Sequence, residues 1–152
     1  MGGVGGGAAA SAFNEAVANA SETIYFWQHL RLAGFVGGSA ANGEQPQNAL
    51  GGIVGVQTGA GPVAPAIPDF GGLVVCTSNL TGKIAEAIDR QFDDGLSDRG
   101  TLRAYTQNRT AVARGAANPT RVASVVSAAA AVPGPGYNAA DDAELYTICK
   151  SL

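Results

Sequence analysis

The sequence predicts an α+β domain, and three observations carry that expectation. Apolar residues recur at three- and four-residue spacing over 11–34, and again through Ile84, Ile88 and Phe92, which is the period of a helix face. Two β-branched runs, Gly52–Gln57 and Phe70–Thr77, are joined by a connection too short for a helical crossover, so they are expected to pair antiparallel. An acidic turn after the second helix leads into a strand at Thr101–Tyr105, and a last strand is expected at Ala143–Cys149.

Taken in order, residues 1–10 are glycine and alanine with one valine, a flexible entry segment that buries too little to offset its ordering. Residues 11–152 form one domain. Phe13, Val17, Ala20, Ile24 and Trp27 make one helical stripe, and Phe26, Leu30 and Ala33 an overlapping second one. Such a helix can bury against a sheet on one side and another helix on the other. Gly34 ends it, and Gly37-Gly38 begins a polar loop over 35–50. Pro62, Pro65 and Pro68 keep 58–69 irregular. Leu73-Val74-Val75-Cys76 is the strongest strand signal.

The second helix is expected to take its cap from Thr81 or Ser78 and to stop at Gly95, which enters the left-handed region without a Cβ clash. Beyond Gly100, Leu102 and Ala104 should face one side of a strand, with Arg103 and Tyr105 on the other. Residues 106–143 look like an extended surface loop with a short strand near Arg121–Val126.

Composition narrows the function. A chain of 152 residues can build one modest core. Only 14% of residues are charged, against about a quarter in ordinary domains, so the surface suits packing against copies of itself. A net charge of −3 supplies no field to draw nucleic acid or an anionic membrane. The longest weakly polar run, Ser124–Val132, is too short to cross a bilayer.

Candidate chemistry is sparse. Asp89, Asp93, Asp94 and Asp98 place four carboxylates within ten residues. They suit a hard cation such as calcium, but the spacing is not that of an EF-hand. The structural alternative is that Asp93 or Asp94 holds turn amides and pairs with Arg103. His29 is the one histidine and stands on the aromatic helix, where packing or partial exposure is the ordinary role. There is no Gly-x-Ser-x-Gly elbow, and Gly82-Lys83 lacks the upstream glycine of a phosphate loop. An enzyme is therefore not expected. Arg99, Arg103, Arg109, Arg114 and Arg121 form an acid-free basic stretch whose ordinary role is a solvated or salt-bridged face; the functional alternatives are DNA, or acids on a neighbouring copy near Asp93 or at Asp141, Asp142 and Glu144. Asn19, Asn79 and Asn108 each begin a glycosylation triplet. Cys76 and Cys149 are either two buried thiols or, in an oxidising compartment, one disulfide.

A family resemblance rests on several of these residues together. Ala87-Ile88-Asp89, Phe92-Asp93-Asp94-Gly95-Leu96, Gly100 and Leu102-Arg103-Ala104 resemble the "IDxKxDDGxPxxGxVRA" pattern in the globular head of type IV pilins and pseudopilins. Tyr25-Phe26-Trp27-Gln28-His29-Leu30 with Leu32-Ala33-Gly34 resembles their "FWQHLxLAGLI" helix, and Tyr146-Thr147-Ile148-Cys149 their cysteine-containing last strand.

The resemblance implies a pilin-like head with an aromatic helix, a small antiparallel sheet and a C-terminal strand tied by a Cys76–Cys149 disulfide. It implies an extracellular filament whose outer layer is made of such heads around a core of N-terminal helices. It also implies copies of the chain as partners, and no cofactor. Phe26, Trp27 and Leu30 would pack the partner helix. Members of the family begin with a long apolar helix, whereas Met1-Gly2-Gly3 resembles the loop that follows it. The expectation is therefore a truncated head, or the head half of a pilin split into two polypeptides. The alternative within the resemblance is a minor pilin or pseudopilin acting in tip binding, DNA uptake or type II secretion. Some pseudopilins hold calcium, which would fall to Asp89, Asp93, Asp94 and Asp98 here. Some minor pilins hold DNA, which would fall to Arg99, Arg103, Arg109 and Arg114.

Overall fold

A computed structural model of the chain describes residues 13, 22–41, 43–58, 70–107, 109–113, 120–121 and 136–152. The elements are α1 (Glu22–Leu32), β1 (Val54–Thr58), β2 (Leu73–Thr81), α2 (Gly82–Phe92), β3 (Leu102–Thr106), the two-residue β4 (Thr120–Arg121) and β5 (Leu145–Ser151). Among the described residues the architecture is α+β: two helices and one antiparallel sheet in the order β1-β2-β5-β3-β4. The entry segment 1–10, the connection 59–69 and most of the 106–143 stretch lie outside the described residues. Among the described residues, no helix is long and apolar enough to cross a membrane.

The last strand is the middle of the sheet. β5 pairs β2 on one side and β3 on the other, so Tyr146, Thr147, Ile148 and Cys149 are all buried. A strand covered on both faces needs apolar or paired residues at every position, and an alternating pattern is lost. Thr147, the one polar residue of the four, donates its hydroxyl to Gln107 Oε1 at 3.0 Å.

Cross-strand register then fixes the two faces. Ala104 lies opposite Ile148, and both join Leu80, Ala85, Leu102, Tyr137 and Tyr146 in the core under α2. Tyr105 and Cys149 point to the other face, with Phe13, Ile53, Phe70, Val74 and Cys76. Cys76 and Cys149 stand directly opposite each other, with Cα atoms 4.0 Å apart, and form a disulfide across the β2–β5 rung. The expected disulfide is thus present. It joins neighbouring strands and closes a sequence separation of 73 residues.

Several local expectations are corrected. β2 runs on to Thr81 instead of ending at Thr77, because a bulge between Thr77 and Leu80 carries the polar residues inside the strand. Asn79 takes φ +60 there, a conformation asparagine tolerates better than most residues. Its Oδ1 accepts from Gln107 Nε2 and from the Val112 amide, so the bulge is tied to the chain beyond β3. Ser78 is buried and bonds the Ile53 amide, so it caps no helix. Thr81 occupies the N-cap position of α2 but makes no side-chain cap bond. At the end of α1, Phe35 N–H bonds Leu30 C=O and Gly34 N–H bonds Arg31 C=O, with Gly34 at φ +79, the Schellman arrangement.

The buried face of α2 also differs from expectation. Ile84, Ile88 and Phe92 share a face, but Gly82, Ala85 and Asp89 are what the helix buries. Ile84 is 38% exposed and Phe92 59% exposed. The cause is a close approach: a Cβ on Gly82 would lie 2.4 Å from the Asn138 carbonyl oxygen and 3.2 Å from the Tyr146 ring. Only small residues fit that contact, so the large ones are turned to its edge.

Candidate functional site

The acidic turn is built around Asp89. This residue is fully buried at the last turns of α2, and its side chain accepts the Gly95 amide at 3.1 Å and the Tyr137 hydroxyl. Burial raises the Asp89 carboxyl above the usual aspartate range, and the two hydrogen bonds pull it back down in part. Burial and the neighbouring carboxylate together push the Tyr137 hydroxyl far up, so it remains a donor. Tyr137 packs edge-on against Tyr146, with centroids 5.6 Å apart, and burial raises the Tyr146 hydroxyl too. Tyr146 Oη accepts the Asn138 amide.

The next two aspartates hold the chain through its reversal. Asp93 Oδ2 accepts the Leu102 amide at 2.8 Å, and Asp94 Oδ1 accepts the Leu96 amide at 2.9 Å. Gly100, at φ +79, lies against Asp93: a Cβ there would sit 1.9 Å from Oδ2. Ser97 C=O then accepts the Ala104 amide, which aims β3 along β5. The expected role of Asp93 and Asp94 in holding turn amides is present. The pairing with Arg103 is not. Arg103 lies on the opposite face from Leu102, with its guanidinium 5.4 Å from the Phe70 ring centroid, and it donates to the Gly100 and Leu102 carbonyls.

One oxygen each from Asp89, Asp93 and Asp94 falls within 4.8 Å of the others, while Asp98 turns to Arg99 at 3.4 Å. Each of the three clustered carboxylates already accepts a backbone amide, which is what a rigid turn requires of them.

The basic stretch is drawn inward as well. Arg109 pairs with Asp141 and Glu144 of its own chain, an arrangement that lowers the Asp141 carboxyl. Two of the acids considered for a neighbouring copy, Asp141 and Glu144, therefore serve within the chain. Arg114 lies outside the described residues, and of Arg121 only the backbone is described. The Asn79 side chain is committed to Gln107 and Val112, while Asn19 and Asn108 lie outside the described residues.

On α1, Trp27 is buried, and Phe26 and Leu30 are half-buried. The Phe26 and Trp27 rings meet edge-on, with centroids 5.0 Å apart. Tyr25, His29 and Leu32 are exposed, and Phe35 just beyond the helix is 81% exposed.

A second feature had no sequence-level expectation. An apolar groove of about 350 Å³ lies between α2 and the sheet face beneath it, with Val75, Ile88, Phe92, Leu102, Ile148 and Leu152 among its lining. Its only sequence signal is the set of large residues on α2 that the buried face does not use. Tyr137 as the partner of Asp89 also went unforeseen, since 48 residues separate them. No family model, no curated protein and no solved structure matches this chain.

Proposed function

We propose that this chain is the globular head of a type IV pilin-like subunit and that its work is structural. In this reading heads form the outer layer of an extracellular filament. An apolar N-terminal helix, attached or supplied as a separate polypeptide, packs inside. What a head must contribute is a fixed shape that sets subunit spacing. The observation that carries the reading is the joint arrangement of the two motif regions resembling pilin heads. The Asp93-Asp94-Gly95 turn launches β3 directly alongside β5, and β5 is stapled to β2 by Cys76–Cys149. Phe26 and Leu30 keep part of their surface open, as packing against a further helix requires.

The test is compositional. Filaments sheared from the surface of the native cells are purified, and every polypeptide in them is identified and quantified by mass spectrometry. This chain is expected as a major component. Equal amounts of a second, short apolar polypeptide would identify a split subunit. Filaments free of this chain, with the chain recovered elsewhere, overturn the proposal.

A further inference from the structure

We propose that the Asp94–Gly95 bond is a latent site of isoaspartate formation, and that the buried Asp89 carboxyl, through the Gly95 amide, keeps it closed. Asp94-Gly95 is the one Asp-Gly pair in the chain. At such a pair the nitrogen after the aspartate can attack the side-chain carboxyl, because glycine places no side chain beside it. The Gly95 nitrogen bonds to Asp94 Cγ, the carboxyl hydroxyl leaves as water with the amide proton, and a five-membered succinimide results. Water opens that ring at either carbonyl. One opening returns aspartate; the other leaves isoaspartate, in which the main chain runs through the former side chain.

The fold withholds the reacting atoms from each other. Asp94 is exposed, so water reaches its carboxyl, whereas Gly95 is buried. Ring closure must bring Cγ over the Gly95 nitrogen, a near-attack geometry for which both groups have to turn. Asp94 Oδ1 accepts the Leu96 amide at 2.9 Å, which holds the carboxyl toward the next peptide instead of its own. Gly95 N–H donates to Asp89 Oδ1 at 3.1 Å, so turning the Asp94–Gly95 peptide breaks a buried hydrogen bond. Asp89 is held against following that motion: it is fully buried, and its other oxygen accepts the Tyr137 hydroxyl. Isomerisation would undo the turn, because the carboxyl that holds Leu96 would enter the main chain and lengthen it by one carbon ahead of β3. The inference does not depend on the filament reading.

The experiment incubates the full chain at neutral pH, as wild type, Asp89→Ala, Asp89→Asn and Tyr137→Phe, beside a peptide spanning Phe92–Ser97 and wild type unfolded in urea. Isoaspartate at position 94 is followed by residue-resolved mass spectrometry, since Asn42-Gly43 can form the same product. Folded wild type should isomerise on the order of tenfold or more slowly than the peptide, the factor that one hydrogen bond to a carboxylate supplies. Wild type in urea should match the peptide. Asp89→Ala should gain about tenfold over wild type. Asp89→Asn, whose side-chain oxygen still accepts the amide, and Tyr137→Phe, which leaves the Gly95 bond in place, should stay close to wild type. Should Asp89→Ala not fold, wild type alone decides: in sub-denaturing urea its isomerisation should rise in proportion to hydrogen exchange at the Gly95 amide. Isomerisation that proceeds while that amide stays protected overturns the proposal. So does a folded wild type as fast as the peptide, or a folded Asp89→Ala no faster than wild type; a slower one would make Asp89 the base that activates the nitrogen. Equal acceleration in Tyr137→Phe overturns it too, by assigning the protection to stability at large.

Discussion

Gly100→Ala is expected to destabilise the fold through Asp93, and the two contributions can be separated. The first is local. Gly100 has φ +79, and an alanine held in the left-handed region costs about 1–2 kcal/mol. The second is a collision. The new Cβ would lie 1.9 Å from Asp93 Oδ2, the atom that accepts the Leu102 amide at 2.8 Å. The carboxylate must swing away, and the charge-assisted hydrogen bond that starts β3 is lost, worth about 1.5–3 kcal/mol. The sum is roughly 3–4 kcal/mol, a large part of the ~5–15 kcal/mol that holds a domain together. Urea denaturation of wild type, Gly100→Ala, Asp93→Ala and the double variant measures the coupling. With Asp93 already truncated, Gly100→Ala should cost only its conformational part, about 1–2 kcal/mol, so the singles should overshoot the double by the lost hydrogen bond, about 1.5–3 kcal/mol. Additive effects within ~0.5 kcal/mol would refute the claim that Asp93 and Gly100 form one device.

Other perturbations test the remaining supports. Replacing both Cys76 and Cys149 with alanine frees a separation of 73 residues and should cost about 4 kcal/mol in urea melts, with faster amide exchange along β5. Gly82→Ala puts a Cβ 2.4 Å from the Asn138 oxygen and should destabilise by about 1–3 kcal/mol, even though alanine is the better helix former. Asp89→Asn should change the pH dependence of stability. The raised Asp89 carboxyl favours the fold most when protonated, so its contribution is full below the ordinary value of 3.8 and is lost as pH rises through the raised folded value. The stability of wild type relative to Asp89→Asn should therefore fall across that window and be flat above it. Asp141→Asn runs the other way. Its lowered carboxyl favours the fold above the ordinary 3.8, and that contribution disappears as pH falls through the lower folded value.

Much of the sheet was legible because its signals are local. Thr101–Tyr105 alternates as Leu102 and Ala104 against Arg103 and Tyr105, and those residues do divide between the two faces. The β1–β2 pairing followed from a connection too short to cross over, and Gly95 takes the expected φ of +79. What failed to show is what depends on residues distant in sequence. No property of Ser78 or Asn79 announces a bulge; Gln107, 28 residues from Asn79, completes it. Arg109 appeared to belong to a basic stretch because Asp141 is 32 residues away. The place of β5 between β2 and β3 is likewise unwritten in its own seven residues. Burial on both faces is its one trace, through the run Tyr146-Thr147-Ile148-Cys149.

The misassigned face of α2 and the unforeseen groove have one origin. A helix whose apolar stripe is Ile84, Ile88 and Phe92 would ordinarily bury that stripe, because it offers the largest area. Here the backbone of α2 approaches the 137–146 segment so closely that only Gly82 and Ala85 fit between them, with Asp89 locked by Tyr137 at the far end. Three fixed contacts along one line leave the helix no freedom to roll toward its larger residues. Ile88 is held at the margin of the core, and Phe92 is left 59% exposed. A well-fitted small-residue contact thus forces apolar surface outward, onto the half of the sheet face that α2 does not cover. The groove is the geometric remainder of how this helix is seated, and substitutions that loosen the seat at Gly82 or Asp89 should alter the groove as well.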